Sequence, residues 1–319
     1  MAHLIESMAY VGETPWHGLG NQLSPHQPIE VWQRQAGMDW TIKEAAVRYF
    51  SECGGNLGAI MSFPDNKVLF RSDNHEPLSV VSQRYQVVQP HEILSFYRDL
   101  TEISGFELET AGVLKGGRKF WALARTGKEG VLKGDDRING YLLLATACDG
   151  TLATTAQMTS IRVVCNNTLT VALNGATNAV KVPHSTRFEP EAVKKQLGIS
   201  VSAWAQFMDD LKTLSDRKVK NVEVQNFFWN VFASDSGKPG AATNERAMAK
   251  AMELFEGNGM GSSLESSRGT AFGLLNAVTQ YVDHERRARS TDYRLDSAWF
   301  GQGAAIKQRA LDKALEMVA

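Results

Sequence analysis

The hydrophobic pattern divides the chain into a strand-rich part followed by a helix-rich part. Between residues 39 and 173, short apolar runs rich in Val, Ile, Thr, Tyr and Phe are separated by turn residues, a pattern typical of β-strands. Beyond Pro183, apolar residues recur every three or four positions, which predicts helices. This order predicts an α+β fold, with an antiparallel β meander in the N-terminal part and a mostly helical C-terminal part.

The meander is predicted over residues 105–160. Lys115-Gly116-Gly117 and Asp149-Gly150 are hairpin-type turns, and each is flanked by strand-like runs. The predicted strands of the meander are 107–114, 118–125, 140–148 and 151–158. Further strands are predicted before it at 40–42, 46–50, 67–71, 78–81 and 85–88, and a helix at 91–103.

Three regions are predicted along the chain. Residues 1–38 form an irregular arm and a short helix with Pro28 near its first turn, residues 39–188 a β-rich domain, and residues 189–319 a helical domain. A helix is also expected to end at Asn174-Gly175. The predicted helices of the last region are 189–198, 201–214, 224–232, 244–255, 269–288 and 303–317, with flexible loops at 233–244 and 257–268.

The composition narrows the class of protein. With 43% hydrophobic and 22% charged residues, the chain has the composition of a soluble globular protein. The 34 basic and 35 acidic residues argue against a surface that coats nucleic acid as a whole, but they leave room for a local basic groove. The three cysteines form no CxxC pair. No signal peptide or membrane-spanning run is recognised, so we expect a cytoplasmic protein.

Catalytic motifs are missing from the sequence. It contains no HExxH, GxSxG or GxxxxGK[ST] pattern, and Asp283-His284-Glu285 is interpreted as a solvated helix surface. We therefore expect a protein without catalytic activity, cofactor or metal.

A basic region raises a different possibility. Arg162 lies in the apolar run 160–164, and no Asp or Glu occurs between Gly150 and Phe188. Cations that track a phosphate backbone, together with aromatic rings that stack on bases, are what a single-stranded nucleic acid requires. Phe120 and Tyr141 are further stacking candidates. The candidate nucleic-acid-binding residues are Lys115, Arg118, Lys119, Trp121, Arg125, Arg162, Asn166, Asn167, Lys181 and Arg187.

The alternative interpretation is structural. Phe120 and Trp121 can be core residues of a strand, and Arg162 can pair with an internal carboxylate such as Glu107 or Glu109. A second basic cluster, residues 286–289, can interact with a helix dipole or contact phosphate. Both interpretations of the basic region stay open at this point.

Several motifs together resemble a known family. The chain is similar to the phage/plasmid-like proteins that carry domain of unknown function 932. The stretches that carry the resemblance are TPWHGLG (14–20), SQRYQVV (82–88), AGVL (111–114) with GGR (116–118), RVVCNNTL (162–169), LNAVT (275–279) with VDH (282–284), and SAWFG (297–301).

The resemblance implies a function only indirectly. Phages, plasmids and integrated elements carry this family and commonly encode replication and recombination accessories, and the predicted fold is similar in outline to single-strand annealing proteins. We therefore expect a single-stranded DNA-binding protein of a phage or plasmid, acting as a homo-oligomer in annealing or recombination. The alternative is a protein-interaction module that binds a host-defence or replication factor.

Overall fold

The structure is a computed structural model that describes residues 5–12, 20–52, 58–164, 166–173, 176–177, 179–201, 203–233 and 244–319. The chain forms two compact units. Unit 1 comprises residues 1–126, 142–156 and 179–196, and unit 2 comprises residues 127–141, 157–178 and 197–319. The domain boundaries expected at 38/39 and 188/189 stay predictions.

The strands occupy most of the first half of the chain. They are β1 (Ile5–Val11), β2 (Asn21–Leu23), β3 (Ile42–Ser51), β4 (Ala59–Arg71), β5 (Pro77–Ser82), β6 (Glu107–Leu114), β7 (Lys119–Leu132), β8 (Asp136–Ala147), β9 (Thr154–Arg162), β10 (Asn167–Thr170), β11 (Ala172–Leu173), β12 (Ala176–Thr177) and β13 (Val180–Val182).

The largest sheet contains the predicted meander. Its strand order is β10-β9-β8-β7-β6-β1-β2, and β13 also pairs with β9. The β6–β7 hairpin is antiparallel with Leu114 opposite Lys119, as the Lys115-Gly116-Gly117 turn predicts. Gly116 and Gly117 have positive φ angles, which a glycine adopts without steric cost. The α+β class is confirmed.

A separate three-stranded sheet has the order β3-β4-β5. Strand β4 pairs with β3 along ten residues from Ile42 to Ser51, whereas its pairing with β5 covers only residues 66–70. Residues 47–51 of β3 and 59–63 of β4 lie beyond the part that pairs with β5, so they form a two-stranded hairpin.

The helices dominate the second half of the chain. They are α1 (Ile29–Gln35), α2 (Pro90–Ser104), α3 (Pro190–Val201), α4 (Ala203–Asp216), α5 (Asn221–Phe232), α6 (Glu245–Glu253), α7 (Ala271–Gln280), α8 (Thr291–Phe300) and α9 (Gln302–Glu316). Helices α6 and α7 each continue into a π-helical turn, Leu254–Asn258 and Tyr281–Glu285. In the part of the chain that is described, no helix is long and apolar enough to cross a membrane.

Local sequence explains where two helices begin. Pro90 occupies the first turn of α2, and the Glu92 carboxylate accepts a hydrogen bond from the Gln89 N–H at 2.6 Å. At α7, the Thr270 hydroxyl accepts a hydrogen bond from the Gly273 N–H at 3.0 Å. Such caps satisfy N–H groups that have no partner inside the helix.

Some predictions of local structure are wrong. The arm before the first helix, predicted as irregular, contains β1 and β2, which pair in the largest sheet. Residues 85–88 do not form a strand, because the Gln86 N–H donates to the carbonyl of His184 and the Tyr85 ring stacks on the His184 ring. The helix expected to end at Asn174-Gly175 is also wrong over residues 167–170, which form β10 and pair with β9. The turn residues 174–175 lie outside the described residues.

Each unit has its own apolar core. In unit 1, Trp40 packs edge-on against Phe120, and Tyr97 is fully buried. In unit 2, Phe207 and Phe228 are at most 1% exposed. The apolar sides of the strands and helices therefore point into the interior of each unit.

Candidate nucleic-acid interface

Arg162 is buried in unit 2 and paired with Asp136. Its Nε donates to both carboxylate oxygens of Asp136, at 2.9 and 3.0 Å, and its Nη2 donates to Oδ2 at 2.7 Å. The side chains of Arg162 and Asp136 are 3% and 0% exposed. The pair is bidentate and desolvated, so the charge inside an apolar run is matched by an internal carboxylate.

The residues around this pair come from the segment expected to be a flexible loop. Ser266 donates to Asp136 at 2.6 Å, while Ser267 Oγ accepts from Arg162 at 2.8 Å. The Gly261 carbonyl also accepts from Arg162 at 3.2 Å. After the π-helical turn ends at Asn258, residues 259–268 are thus a series of turns whose polar groups take part in this buried network. This arrangement gives Arg162 a structural role and leaves its guanidinium no open face for phosphate.

The internal carboxylates suggested above for Arg162 were Glu107 and Glu109. Arg162 does pair with an internal carboxylate, but that carboxylate is Asp136. Glu109 instead accepts from Arg125 at 3.0 Å on the β6–β7 hairpin. Sequence distance concealed the true partner, because Asp136 starts β8 and reaches Arg162 only through sheet pairing.

The two asparagines after Arg162 separate in the structure. Asn166 is exposed and has a left-handed backbone with a φ of 53°. Asn167 is 4% exposed, and its amide donates to the carbonyl of Asn276 at 3.4 Å. Only Asn166 is therefore placed at the surface.

The predicted basic hairpin is largely a core element. Lys119 and Trp121 are 3% and 2% exposed, and Phe120 and Tyr141 are buried as well. Trp121 and both stacking candidates therefore cannot contact bases in this conformation, and their burial follows the core interpretation. Arg118 is exposed, whereas Lys115 and Gly116 in the same turn are half-buried and Gly117 is buried.

The remaining predicted cations lie on the surface of unit 1. Lys181 is exposed on β13, opposite Thr155 of β9. Arg187 is exposed and lies 3.5 Å from the Glu189 carboxylate. Lys115 is half-buried and has a positive φ in the β6–β7 turn. Of the ten predicted residues, six are exposed or half-buried and four are buried: Lys119, Trp121, Arg162 and Asn167.

A more concentrated basic site lies in unit 2, where the chain leaves the π-helical turn after α7 and enters α8. An open cleft of about 680 Å³ is lined there by four arginines. No carboxylate is among the described side chains that line it. We call it the arginine cleft, and its lining residues are Val282, Arg286, Arg287, Ala288, Arg289, Tyr293, Arg294, Ser297 and Gln302.

Two of the arginines are held by the protein. Arg286 donates to the Ser297 hydroxyl at 2.9 Å and also to Gln302. Arg294 donates to the carbonyl of His284 at 2.6 Å. These contacts fix the positions of both guanidinium groups, and the positive charge of each remains at the wall of the cleft.

The other two arginines face solvent. Arg287 and Arg289 are exposed, and the Arg289 guanidinium lies 6.0 Å from the centre of the Tyr293 ring. Tyr293 is 38% exposed. The cleft therefore combines cations that can bind phosphate with one ring that can stack on a base.

The sequence signal for this site is the run Arg286-Arg287-Ala288-Arg289, for which a helix-dipole interaction and a phosphate contact are both open from sequence. The structure shows that the helical turn ends at Glu285 and that Arg286 is already extended, with ψ of 129°. α8, which supplies Tyr293, Arg294 and Ser297, was not predicted. Without that helix, one wall of the cleft was missing from the sequence interpretation.

Reactive groups elsewhere are consistent with structural roles. Burial, aided by the Asp149 charge, raises the pKa of the Cys148 thiol to about 12. Among the described residues, no group of three or more His, Cys, Asp or Glu side chains is placed to hold a metal ion.

Comparison with known proteins identifies the family. A search of the curated proteins finds no match for the chain. The family model "Domain of unknown function (DUF932)" matches residues 77–299. That span includes the RVVCNNTL motif around Arg162 and nearly all of the arginine cleft, whereas the motif at 14–20 lies outside it. Because the match covers well over half of the chain, the protein belongs to the DUF932 family.

Proposed function

We propose that the protein binds single-stranded nucleic acid and that the arginine cleft is its phosphate-binding site. The observation that carries the proposal is the convergence of Arg286, Arg287, Arg289 and Arg294 on one open cleft of about 680 Å³. Such a concentration of like charge is costly unless it is solvated or meets an anion. Guanidinium groups bind phosphate oxygens in a bidentate manner, so a phosphodiester backbone suits this lining.

Tyr293 favours a single strand over a duplex. Its ring is partly exposed beside Arg289, and an unpaired base can stack on such a ring, whereas a base within a duplex is already stacked. Ser297 and Gln302 add neutral hydrogen-bonding groups that suit sugar or phosphate oxygens. A local basic site is compatible with a net charge of −1, because a few clustered cations require no excess of basic residues over the whole chain.

In a phage or plasmid, the protein would serve as an accessory of replication or recombination, including the annealing of single strands. The resemblance described above supports this role. The exposed cations of unit 1, Arg118, Lys181 and Arg187, are candidates for additional phosphate contacts.

The test is fluorescence anisotropy of a labelled single-stranded oligonucleotide, titrated with the full chain at several salt concentrations. The variant Arg287→Ala/Arg289→Ala removes the two exposed cations and leaves the held arginines in place. If each contacts one phosphate, the slope of log affinity against log salt falls by ~1.4, because one phosphate contributes ~0.7 for a single strand. The variant Tyr293→Ala is expected to weaken binding with little change in slope.

The matched control is Arg246→Ala/Arg268→Ala, which removes two exposed arginines outside the cleft lining. It should keep wild-type affinity and slope. Absence of binding at low salt, or equal losses in the cleft and control variants, would refute the cleft as the binding site. A duplex competitor of the same length should compete more weakly than the single strand.

A further inference from the structure

The parts of β3 and β4 next to their connection form an exposed hairpin in unit 1, which we call the β3–β4 arm. It consists of residues 47–51 paired with residues 59–63, from Val47 opposite Phe63 to Ser51 opposite Ala59. A bulge between Ala46 and Val47 separates it from the rest of the sheet. Strand β5 pairs with β4 only at residues 66–70 and so does not extend to the arm.

The arm is unusually apolar for a solvated hairpin. Five large side chains are between 45% and 69% exposed: Tyr49, Phe50, Ile60, Met61 and Phe63. Side chains of this size offer roughly 200 Å² each, so they leave ~500 Å² of apolar surface in water, against ~800 Å² per partner in a standard protein interface. These side chains are divided between the two faces of the arm, Tyr49 with Met61 on one and Phe50 with Ile60 on the other, so a partner covers only part of this area.

Among the described residues, no strand pairs with the outer edge of β3, or with residues 59–63 of β4 on the side away from β3. Strand β3 lies at the edge of its sheet in the order β3-β4-β5. A two-stranded hairpin is only marginally stable in water, and three or more strands are normally needed. An exposed apolar edge strand readily pairs with another strand, so a further strand alongside β3 would stabilise the arm.

The charges along this edge favour a second copy of the same strand. Successive residues of a strand point to opposite faces, so Arg48 and Phe50 of β3 share one face. The same alternation, continued one residue past the end of β3, places Glu52 on that face. In an antiparallel pairing centred on Phe50, Arg48 of each copy lies opposite Glu52 of the other, and the two Phe50 rings meet at the centre. The outer β4 edge has no charge between Ala59 and Phe63, so only the β3 edge has this self-complementarity.

We propose that the protein forms a two-fold symmetric dimer in which the β3 edges of two arms pair antiparallel about Phe50. The interface is isologous, since the same patch serves both copies. It joins two hairpins into a four-stranded sheet, which satisfies the edge and covers part of the exposed apolar surface.

The test is sedimentation equilibrium of the full chain, which is expected to show a dimer. The symmetric dimer contains two pairs of positions 48 and 52. In the Arg48→Glu variant both pairs become carboxylate opposite carboxylate, and in the Glu52→Arg variant both become cation opposite cation. Each variant alone should raise the dimer dissociation constant about 10-fold or more, because opposite-charge cross-strand pairs become like-charge pairs. An equimolar mixture restores both attractive pairs, so it should dimerise as tightly as wild type.

Two further variants separate the arm from other surfaces. Phe50→Arg should abolish the dimer, since it places two cations at the centre of the interface. Val222→Arg alters a side chain that is 68% exposed on α5 and should leave the dimer unchanged. A monomeric wild type would overturn the proposal. A dimer insensitive to Arg48→Glu and Phe50→Arg would place the interface elsewhere and would equally overturn it.

Discussion

The buried pair between Arg162 and Asp136 makes a quantitative prediction. We expect Arg162→Met to lower the free energy of unfolding of unit 2 strongly, because it leaves the Asp136 carboxylate buried without its cation. Asp136 is 0% exposed and would keep only the hydrogen bond from Ser266 among its described contacts. Methionine retains much of the length of the arginine stem, so the loss reports on charge more than on packing volume.

The magnitude follows from the geometry. Removing one partner of a fully buried ion pair costs ~3–5 kcal/mol, whereas removing both charges is much less costly. The double variant Arg162→Met/Asp136→Asn keeps an oxygen that can accept from Ser266. We therefore expect it to be more stable than Arg162→Met alone by ~2 kcal/mol or more.

Urea unfolding followed by tryptophan fluorescence and far-UV circular dichroism provides the assay. Since a domain has only ~5–15 kcal/mol of stability, the single variant should shift the unfolding midpoint far to lower urea. The pairing would be refuted if Arg162→Met cost less than ~1 kcal/mol, or if neutralising Asp136 gave no recovery. A folded Arg162→Met protein should also keep the salt slope of oligonucleotide binding, since Arg162 is not in the arginine cleft.

Three other residues of unit 1 are tested by substitution or chemical modification. Tyr97→Phe should cost ~1–2 kcal/mol in urea unfolding, because the buried hydroxyl lies 2.9 Å from the carbonyl oxygens of both Ala122 and Leu142. Gly112→Ala should cost ~1–3 kcal/mol by the same measurement, since the new Cβ would lie 2.9 Å from a carbonyl oxygen of β1; equal midpoints for variant and wild type would contradict the close β1–β6 packing. Cys148 should resist iodoacetamide in the native protein at pH 8, as judged by mass spectrometry, because raising its pKa from 9.0 to about 12 lowers the thiolate fraction roughly 1000-fold. The same rise makes the unfolded thiol ionise first, so stability should fall as the pH increases from 9 toward 12, and Cys148→Ala should reduce that dependence.

The sequence was sufficient for the local features of this protein. The Lys115-Gly116-Gly117 turn predicted a hairpin, and the periodicity beyond Pro183 predicted helices, because turn chemistry and amphipathic patterns depend on near neighbours. The motifs around Arg162 were also sufficient to identify the family that the match over residues 77–299 confirms.

The tertiary structure decided which polar groups are buried and which are at the surface. In the sequence, Arg162, Lys119, Arg287 and Arg289 are all simply basic residues. In the structure the first two are buried and the last two line an open cleft. The physical reason is that a buried charge requires a partner, and that partner can lie far along the chain. Asp136 is 26 residues from Arg162, and Ser267 is 105 residues away. Only folding brings such groups within hydrogen-bond distance. The sequence alone therefore identifies the basic residues, and the tertiary structure determines which of them are buried and which line the cleft.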